Sequence, residues 1–259
     1  YPVRNCVRIL NPLSADLNVM RQTLVFNVME AVQLNINHRN GDLKLYEFGN
    51  CYRYTPENAG SERGPLAAYG EEYMLAIALT GTVEPQSWNS KARPASFFAL
   101  RGVVEQILRR FGLDIYDLHS ESLSSDIFDE ALLITINGKQ LVRFGSVSSR
   151  ICRTFDIKQN VYYAELDFDL LLKATRKHKV TASELPKYPS VRRDLALLID
   201  KRVTFSQLRE IALATERKLL KSVSLFDVYE GDKLPEGKKS YALGFILEDR
   251  NQTLNDKAI

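Results

Sequence analysis

The dipeptide Asn137-Gly138 stands between two runs of strand-forming residues, Leu132–Ile136 and Gln140–Val147. A two-residue hairpin turn needs positive φ at both central positions, and asparagine followed by glycine tolerates this best. The spacing predicts a tight β-hairpin, and with it a pair of neighbouring antiparallel strands. Other strand-like runs are Leu43–Phe48, with Cys51–Tyr54 as a second strand or its continuation, Glu72–Gly81 and Val161–Phe168. Thr55–Gly70 holds Pro56, Gly60, Gly64 and Pro65 and reads as a long loop, and Trp88 falls in another.

Helical periodicity separates these runs. Asn11-Pro12-Leu13-Ser14 reads as a turn with Ser14 as N-cap and Asp16 in the first turn. Leu17, Met20, Leu24, Val28, Ala31, Val32 and Ile36 then recur at helical spacing, predicting one long amphipathic helix over 14–37 that ends at His38-Arg39-Asn40-Gly41. Phe97, Leu100, Val103, Val104, Ile107, Leu108 and Phe111 predict a second helix from Ser96 to Phe111, stopped by Gly112. A short helix is expected to begin over Asp169–Ala174.

The polar stretch from Thr175 to Pro189, broken by Pro186 and Pro189, predicts a boundary: a domain over 1–175, a linker over 176–185 and a second domain over 186–259. That second part reads as a strand at Asp194–Ile199, a helix at Thr204–Leu220 and strands at Val223–Tyr229 and Ser240–Leu247, joined by the linker Glu230–Lys239. A β-α-β-β order is the first two-thirds of a ferredoxin-like split βαβ unit. Asn255–Ile259 reads as the start of its second helix, so the chain is expected to be a fragment. The fold class is α+β.

With 45% hydrophobic and 26% charged residues among 259, the chain can build real cores, and neither disorder nor membrane residence is expected. No run approaches a membrane span and Tyr1–Leu10 does not read as a signal peptide, which places the chain in the cytoplasm. Cys6, Cys51 and Cys152 are odd in number and far apart, so they are expected to be reduced and structural. Charge is uneven: residues 1–172 carry 17 Lys+Arg against 20 Asp+Glu, and residues 173–259 carry 18 against 12. The basic excess lies in the last third, where it can attract a polyanion.

Catalytic signatures are missing. There is no Gly-rich phosphate loop, no dinucleotide turn and no G-x-S-x-G elbow. His38, His119 and His178 have no Cys or His at zinc-ligand spacing, so no metal site is expected. Glu47 is the one carboxylate interrupting an apolar and aromatic strand, and reads as a structural Glu paired across the sheet.

Several segments, in order, resemble the β subunits of bacterial phenylalanyl-tRNA synthetases. They are Val7-Arg-Ile-Leu-Asn-Pro-Leu-Ser14 with Met20-Arg21 and Leu24, Leu45-Tyr-Glu-Phe-Gly49, and Phe97-Phe98 with Leu100-Arg-Gly102. Phe144-Gly145-Ser-Val147, Phe155-Asp-Ile157 and Tyr163-Ala-Glu-Leu-Asp167 follow. The likeness is sharpest at Tyr188-Pro-Ser-Val-Arg-Arg-Asp-Leu195, Leu225-Phe-Asp-Val-Tyr-Glu-Gly231, Gly237-Lys-Lys-Ser240 and Thr253-Leu254.

This resemblance implies a class II synthetase-like antiparallel sheet with flanking helices, then an incomplete ferredoxin-like anticodon-binding domain. Leu45-Tyr-Glu-Phe-Gly49 stands where a working class II enzyme has Arg-x-Glu, and the position two before Glu47 is Leu45 rather than arginine. No Gly-rich segment ending in a second ATP-binding arginine follows, so the core is expected to be catalytically silent. The α subunit of an (αβ)2 assembly would supply activation with ATP and Mg²⁺, and the apolar stripe of the 14–37 helix would face partner helices as well as its own sheet. Neither a membrane nor DNA is implied as a partner. For the anticodon loop of tRNA(Phe), aromatics that stack bases and cations that hold phosphates make Lys187, Tyr188, Arg192, Arg193, Phe226, Tyr229, Lys238 and Lys239 the candidate RNA-binding residues. By strand alternation Phe226 and Tyr229 fall on opposite faces, so at least one is expected in the core.

Overall fold

The computed structural model describes residues 2–14, 17–60, 62, 64, 66–182 and 184–255. The expected first-turn role of Asp16, the loop position Pro65 and the helix start from Asp256 onward lie outside the described residues. The chain divides into two compact units, residues 1–180 and 181–259.

In the first unit, α1 (Val25–Asn37) leads into β1 (Leu43–Tyr54), which pairs with β2 (Tyr69–Thr80) over its full length. A small pair, β3 (Thr82–Glu84) and β4 (Arg93–Pro94), precedes α2 (Phe97–Arg110). Then come β5 (His119–Ser122), β6 (Phe128–Ile136), β7 (Lys139–Val147), α3 (Ser149–Thr154), β8 (Val161–Asp167) and α4 (Phe168–Thr175). Six strands form one antiparallel sheet in the order β1-β2-β8-β7-β6-β5. Both faces are covered. Val25, Val28, Met29 and Val32 of α1 pack on Leu43, Ala76, Ala78 and Tyr163 on one side. Leu100, Val104 and Leu108 of α2 and Leu171 of α4 pack on Ile77, Phe144 and Leu166 on the other.

The expected hairpin is present: Ile136 pairs with Lys139, and Asn137 and Gly138 have φ of 51° and 73°. Helix α2 lies where periodicity puts it, with the Ser96 hydroxyl accepting from the Ala99 amide and Gly112 following at φ 83°. Leu43–Tyr54 is a single strand, so Cys51–Tyr54 is a continuation.

The long helix over 14–37 is corrected. Among the described residues of that range only Val25–Asn37 is α-helical, and residues 7–9 and 18–20 run back on one another as an arm in which the Ile9 amide donates to the Asn18 carbonyl and the Met20 amide to the Val7 carbonyl. The cap that starts α1 is not local. Leu24, its N-cap residue, makes no side-chain cap, and the buried carboxylate of Glu165 on β8 instead accepts from the Leu24 amide (2.8 Å) and the Thr23 hydroxyl (2.6 Å). A cap 141 residues away in sequence leaves no trace in local spacing.

Cys51 and Cys152 are buried, whereas Cys6 is half-buried. Burial, with Glu165 nearby, pushes the Cys51 thiol up from 9.0 to about 12, and burial also raises that of Cys152. Since the thiolate is the nucleophile, iodoacetamide at pH 8 is expected to alkylate Cys6 in the native chain and to spare Cys51 and Cys152 until the protein is denatured. Peptide mass spectrometry reads this directly, and rapid labelling of Cys51 in the native chain would contradict it.

The second unit contains β9 (Val191–Asp200), α5 (Phe205–Thr215), β10 (Leu220–Tyr229) and β11 (Lys238–Leu247). Its sheet has the order β10-β11-β9 with both pairings antiparallel, so β9 and β10 run parallel with β11 between them. That is a split β-α-β. Thr204 and Gln207 form a reciprocal capping box at the start of α5. The helix expected to reach Leu220 ends at Thr215, because the Glu216 carboxylate accepts from the Lys218 and Leu219 amides and turns the chain into β10. Val223, Tyr241 and Leu243 are buried on one face of this sheet.

Candidate nucleic-acid interface

Two sheet surfaces are candidates to hold an anion. The first is a cavity of about 400 Å³ on the six-stranded sheet, lined by residues of β1, β2, β7 and β8. Its charged walls are Arg53, Lys139 and Arg143 against Glu72, Glu165 and Asp167. Arg53 pairs with Glu72 at 3.3 Å. The Arg143 Nε donates to Glu165 Oε2 at 3.0 Å, and its Nη2 makes a second bond to the same oxygen. Asp167 Oδ1 caps α4 by accepting from the Leu170 amide at 2.8 Å. Three cations face three carboxylates, and both guanidiniums are already engaged. Glu165 is nearly inaccessible, and its other oxygen accepts from Thr23, Leu24 and the Tyr163 hydroxyl. Burial, reinforced by the same carboxylate, holds the Tyr163 phenol well above its ordinary value of 10.0.

Glu47 keeps a structural role as expected, although its partner comes from outside the sheet: the Arg21 guanidinium bonds Glu47 Oε1 at 2.7 Å and the Asn50 carbonyl at 3.0 Å. Gly49 makes this possible, since a Cβ there would lie 2.1 Å from Arg21 Nη2. Leu45 is packed against the α1 core. No glycine occurs between Val161 and Thr175, so the passage from β8 into α4 offers no backbone cradle. These residues do not fit a triphosphate, which needs surplus positive charge where the negative charge lies.

The second place is the face of the three-stranded sheet opposite Val223, Tyr241 and Leu243. A Cβ built on Gly244 would lie 3.0 Å from Ser224 Oγ, 3.3 Å from Asp194 Oδ1 and 3.4 Å from Arg192 Nη2, so these groups close in over the glycine. Arg192 pairs with Asp194 at 2.8 Å and lies 5.0 Å over the Phe226 ring. Lys238 pairs with Asp200 at 3.1 Å. Such exposed pairs are worth roughly 0–1 kcal/mol, so a phosphate can displace either carboxylate at small cost.

Of the eight candidates, Arg192, Phe226, Tyr229 and Lys238 gather on this face. Lys187 is exposed and Tyr188 half-buried on the approach to β9. Arg193 pairs in register with Phe245 and so belongs to the opposite face. Lys239 is corrected: it is 6% exposed, with its Nζ donating to the Tyr241 hydroxyl at 2.8 Å, and it is withdrawn from phosphate contact. The expectation that Phe226 or Tyr229 is core is corrected too, since they are 52% and 42% exposed. A β-bulge between Leu225 and Asp227 makes Phe226 the extra residue and resets the alternation. Sequence reasoning missed Asp194 and Ser224, although the i, i+2 spacing from Arg192 could have pointed to Asp194.

Residues 1–168 match the family model described as the phenylalanyl tRNA synthetase beta chain CLM domain. The chain belongs to the phenylalanyl-tRNA synthetase β-chain family. Residues 186–259 match the ferredoxin-fold anticodon binding domain model. The phenylalanine–tRNA ligase β subunit of Bacteroides fragilis is 49% identical over 260 residues, covering all of this chain and 32% of that protein. That of Porphyromonas gingivalis is 43% identical with the same coverage. The chain thus spans about a third of the length of the curated relatives it matches. A pyrrolysyl-tRNA synthetase from Desulfitobacterium hafniense overlays 67% of this chain and 54% of its own, at 14% identity and a TM-score of 0.47. In the β-chain family member described here, the CLM match covers the unit with the neutral cavity, and the anticodon-binding match covers the unit with the open basic and aromatic face.

Proposed function

We propose that this chain is a non-catalytic structural and tRNA-binding part of a phenylalanine–tRNA ligase acting in the cytoplasm. The first unit packs against an α subunit in an (αβ)2 enzyme, and that α subunit uses ATP and Mg²⁺ to activate phenylalanine. The second unit docks the anticodon region of tRNA(Phe). The observation that carries this reading is the contrast between two surfaces: cations matched one for one by carboxylates in the cavity on the six-stranded sheet, and weakly held cations beside exposed aromatics on the open face of the second unit.

Apolar groups support the docking of the first unit. Ile9, Leu10, Leu13 and Leu17 of the arm, with Phe26 and Leu34 of α1, are exposed. Exposed apolar side chains concentrated on two successive segments fit a surface that a partner covers. Co-purification with the α subunit, abolished by polar substitution of Leu10 and Leu13, tests this half.

For the RNA half, the two adjacent lysines are each other's control. Lys238→Ala is expected to weaken tRNA binding and to lower the slope of log K against log salt by about 0.7–1. Lys239→Ala is expected to leave that slope unchanged and to reduce thermal stability, because its Nζ is buried against Tyr241. Equal slopes for all three proteins would refute the placement of RNA on the open face.

A further inference from the structure

The base of the N-terminal arm forms a cavity of about 310 Å³ with the β1–β2 hairpin end, lined by Val3, Arg4, Cys6, Arg8, Tyr54 and Tyr69. Tyr54 and Tyr69 are register partners whose ring centroids lie 5.2 Å apart at 48°, and Tyr69 is about half exposed. The arm is pinned in place. Asn5 and Cys6 amides close a turn on Pro2 and Val3, Arg8 bridges Val19, and the Met20 amide donates to Val7. Unlike the guanidiniums of the neutral cavity, those of Arg4 and Arg8 have no carboxylate partner among the described residues. The volume is at the lower end of small-ligand pockets, roughly 300–1,000 Å³.

From this geometry we infer a second, separate RNA contact: one nucleotide of a single strand, its base stacked on Tyr69 and its flanking phosphates held by Arg4 and Arg8. Two tyrosines give a sequence-tolerant π-surface, and two arginines with no carboxylate partner among the described residues give each flanking phosphate a charge-assisted hydrogen-bond donor. A protein carboxylate could satisfy the arginines, but it would leave the open tyrosine face unused. This contact rests on the tRNA-binding reading and extends it, and all of its residues belong to the first unit.

Cys6 supplies a local reporter, because it lines this cavity and lies in the first unit. The test is alkylation of Cys6 in the full chain by iodoacetamide, with and without saturating hexaadenylate, read by peptide mass spectrometry. Hexaadenylate is expected to protect Cys6. Tyr69→Leu should raise the concentration giving half-protection about tenfold. Arg4→Ala/Arg8→Ala should abolish protection and reduce the salt slope of hexaadenylate binding, measured by fluorescence anisotropy, by about 1.4, at about 0.7 per single-strand phosphate contact. Arg4→Lys/Arg8→Lys should retain most of that slope, which separates charge loss from misfolding. An unprotected Cys6 together with an unchanged salt slope would overturn the proposal, and equal protection by tripolyphosphate would overturn its assignment to a nucleotide. Loss of α-subunit assembly with Cys6 protection intact in the double alanine variant would also refute it. Protection that persists in a chain carrying Arg192→Ala, Tyr229→Ala and Lys238→Ala shows that this contact does not depend on the second unit.

Discussion

Glu165→Ala is expected to destabilise the first unit by on the order of 3–5 kcal/mol, the penalty for removing one partner of a buried ion pair. The cause is concentrated at one residue. Glu165 Oε1 accepts from Thr23, Leu24 and Tyr163, and Oε2 accepts from Arg143. Deleting the carboxylate takes from Arg143 its buried anionic partner and strips the acceptor from the Tyr163 phenol, the Thr23 hydroxyl and the Leu24 amide that precedes α1. For a unit of this size the melting temperature should fall by about 10 °C. Because the penalty comes from orphaned groups rather than from the pair's net worth, Glu165→Leu/Arg143→Leu should be less destabilised than Glu165→Leu alone. Differential scanning calorimetry of the three variants checks this, and a single variant melting within about 2 °C of the parent would defeat it.

The same cluster fixes a pH dependence. Cys51 in the unfolded chain ionises near 9.0, whereas in the folded chain it holds its proton to about 12, and the Tyr163 phenol is also raised. The unfolded state therefore binds fewer protons than the folded one above pH 9, and stability should fall with rising pH in that window.

Phe226→Ala combined with Tyr229→Ala is the second large effect. Each base stacked on an aromatic contributes roughly 1–3 kcal/mol, so loss of both rings should weaken tRNA binding by about 30-fold or more. Removing Phe226 also frees Arg192 from the ring it covers. Stability should change little, since both side chains are about half exposed. A filter-binding titration at fixed salt that finds the double variant within about twofold of the parent would remove these rings from the interface.

How far the sequence could be read follows from the range of each interaction. The Asn137-Gly138 turn, the Ser96 cap and the Thr204–Gln207 box act within four residues, and each stands where local chemistry puts it. The start of α1 is not legible locally because its cap, Glu165, comes from a distant strand, and because Leu17 and Met20 mimic helical spacing in an arm held by backbone bonds. The bulge at Phe226 has no local signature, so alternation failed there and sent Phe226 or Tyr229 into a core that neither enters. Lys238 and Lys239 are indistinguishable in composition. Only the strand's pleat separates the exposed cation from the buried one.

The central claim is that the six-stranded sheet of this β-chain family member carries no surplus positive charge for a triphosphate. Phenylalanine-dependent ATP–pyrophosphate exchange by the purified chain, with Mg²⁺ and without an α subunit, tests it most directly. Exchange indistinguishable from the protein-free blank is the predicted result. Exchange above the blank that disappears in Arg53→Ala or Arg143→Ala would contradict it.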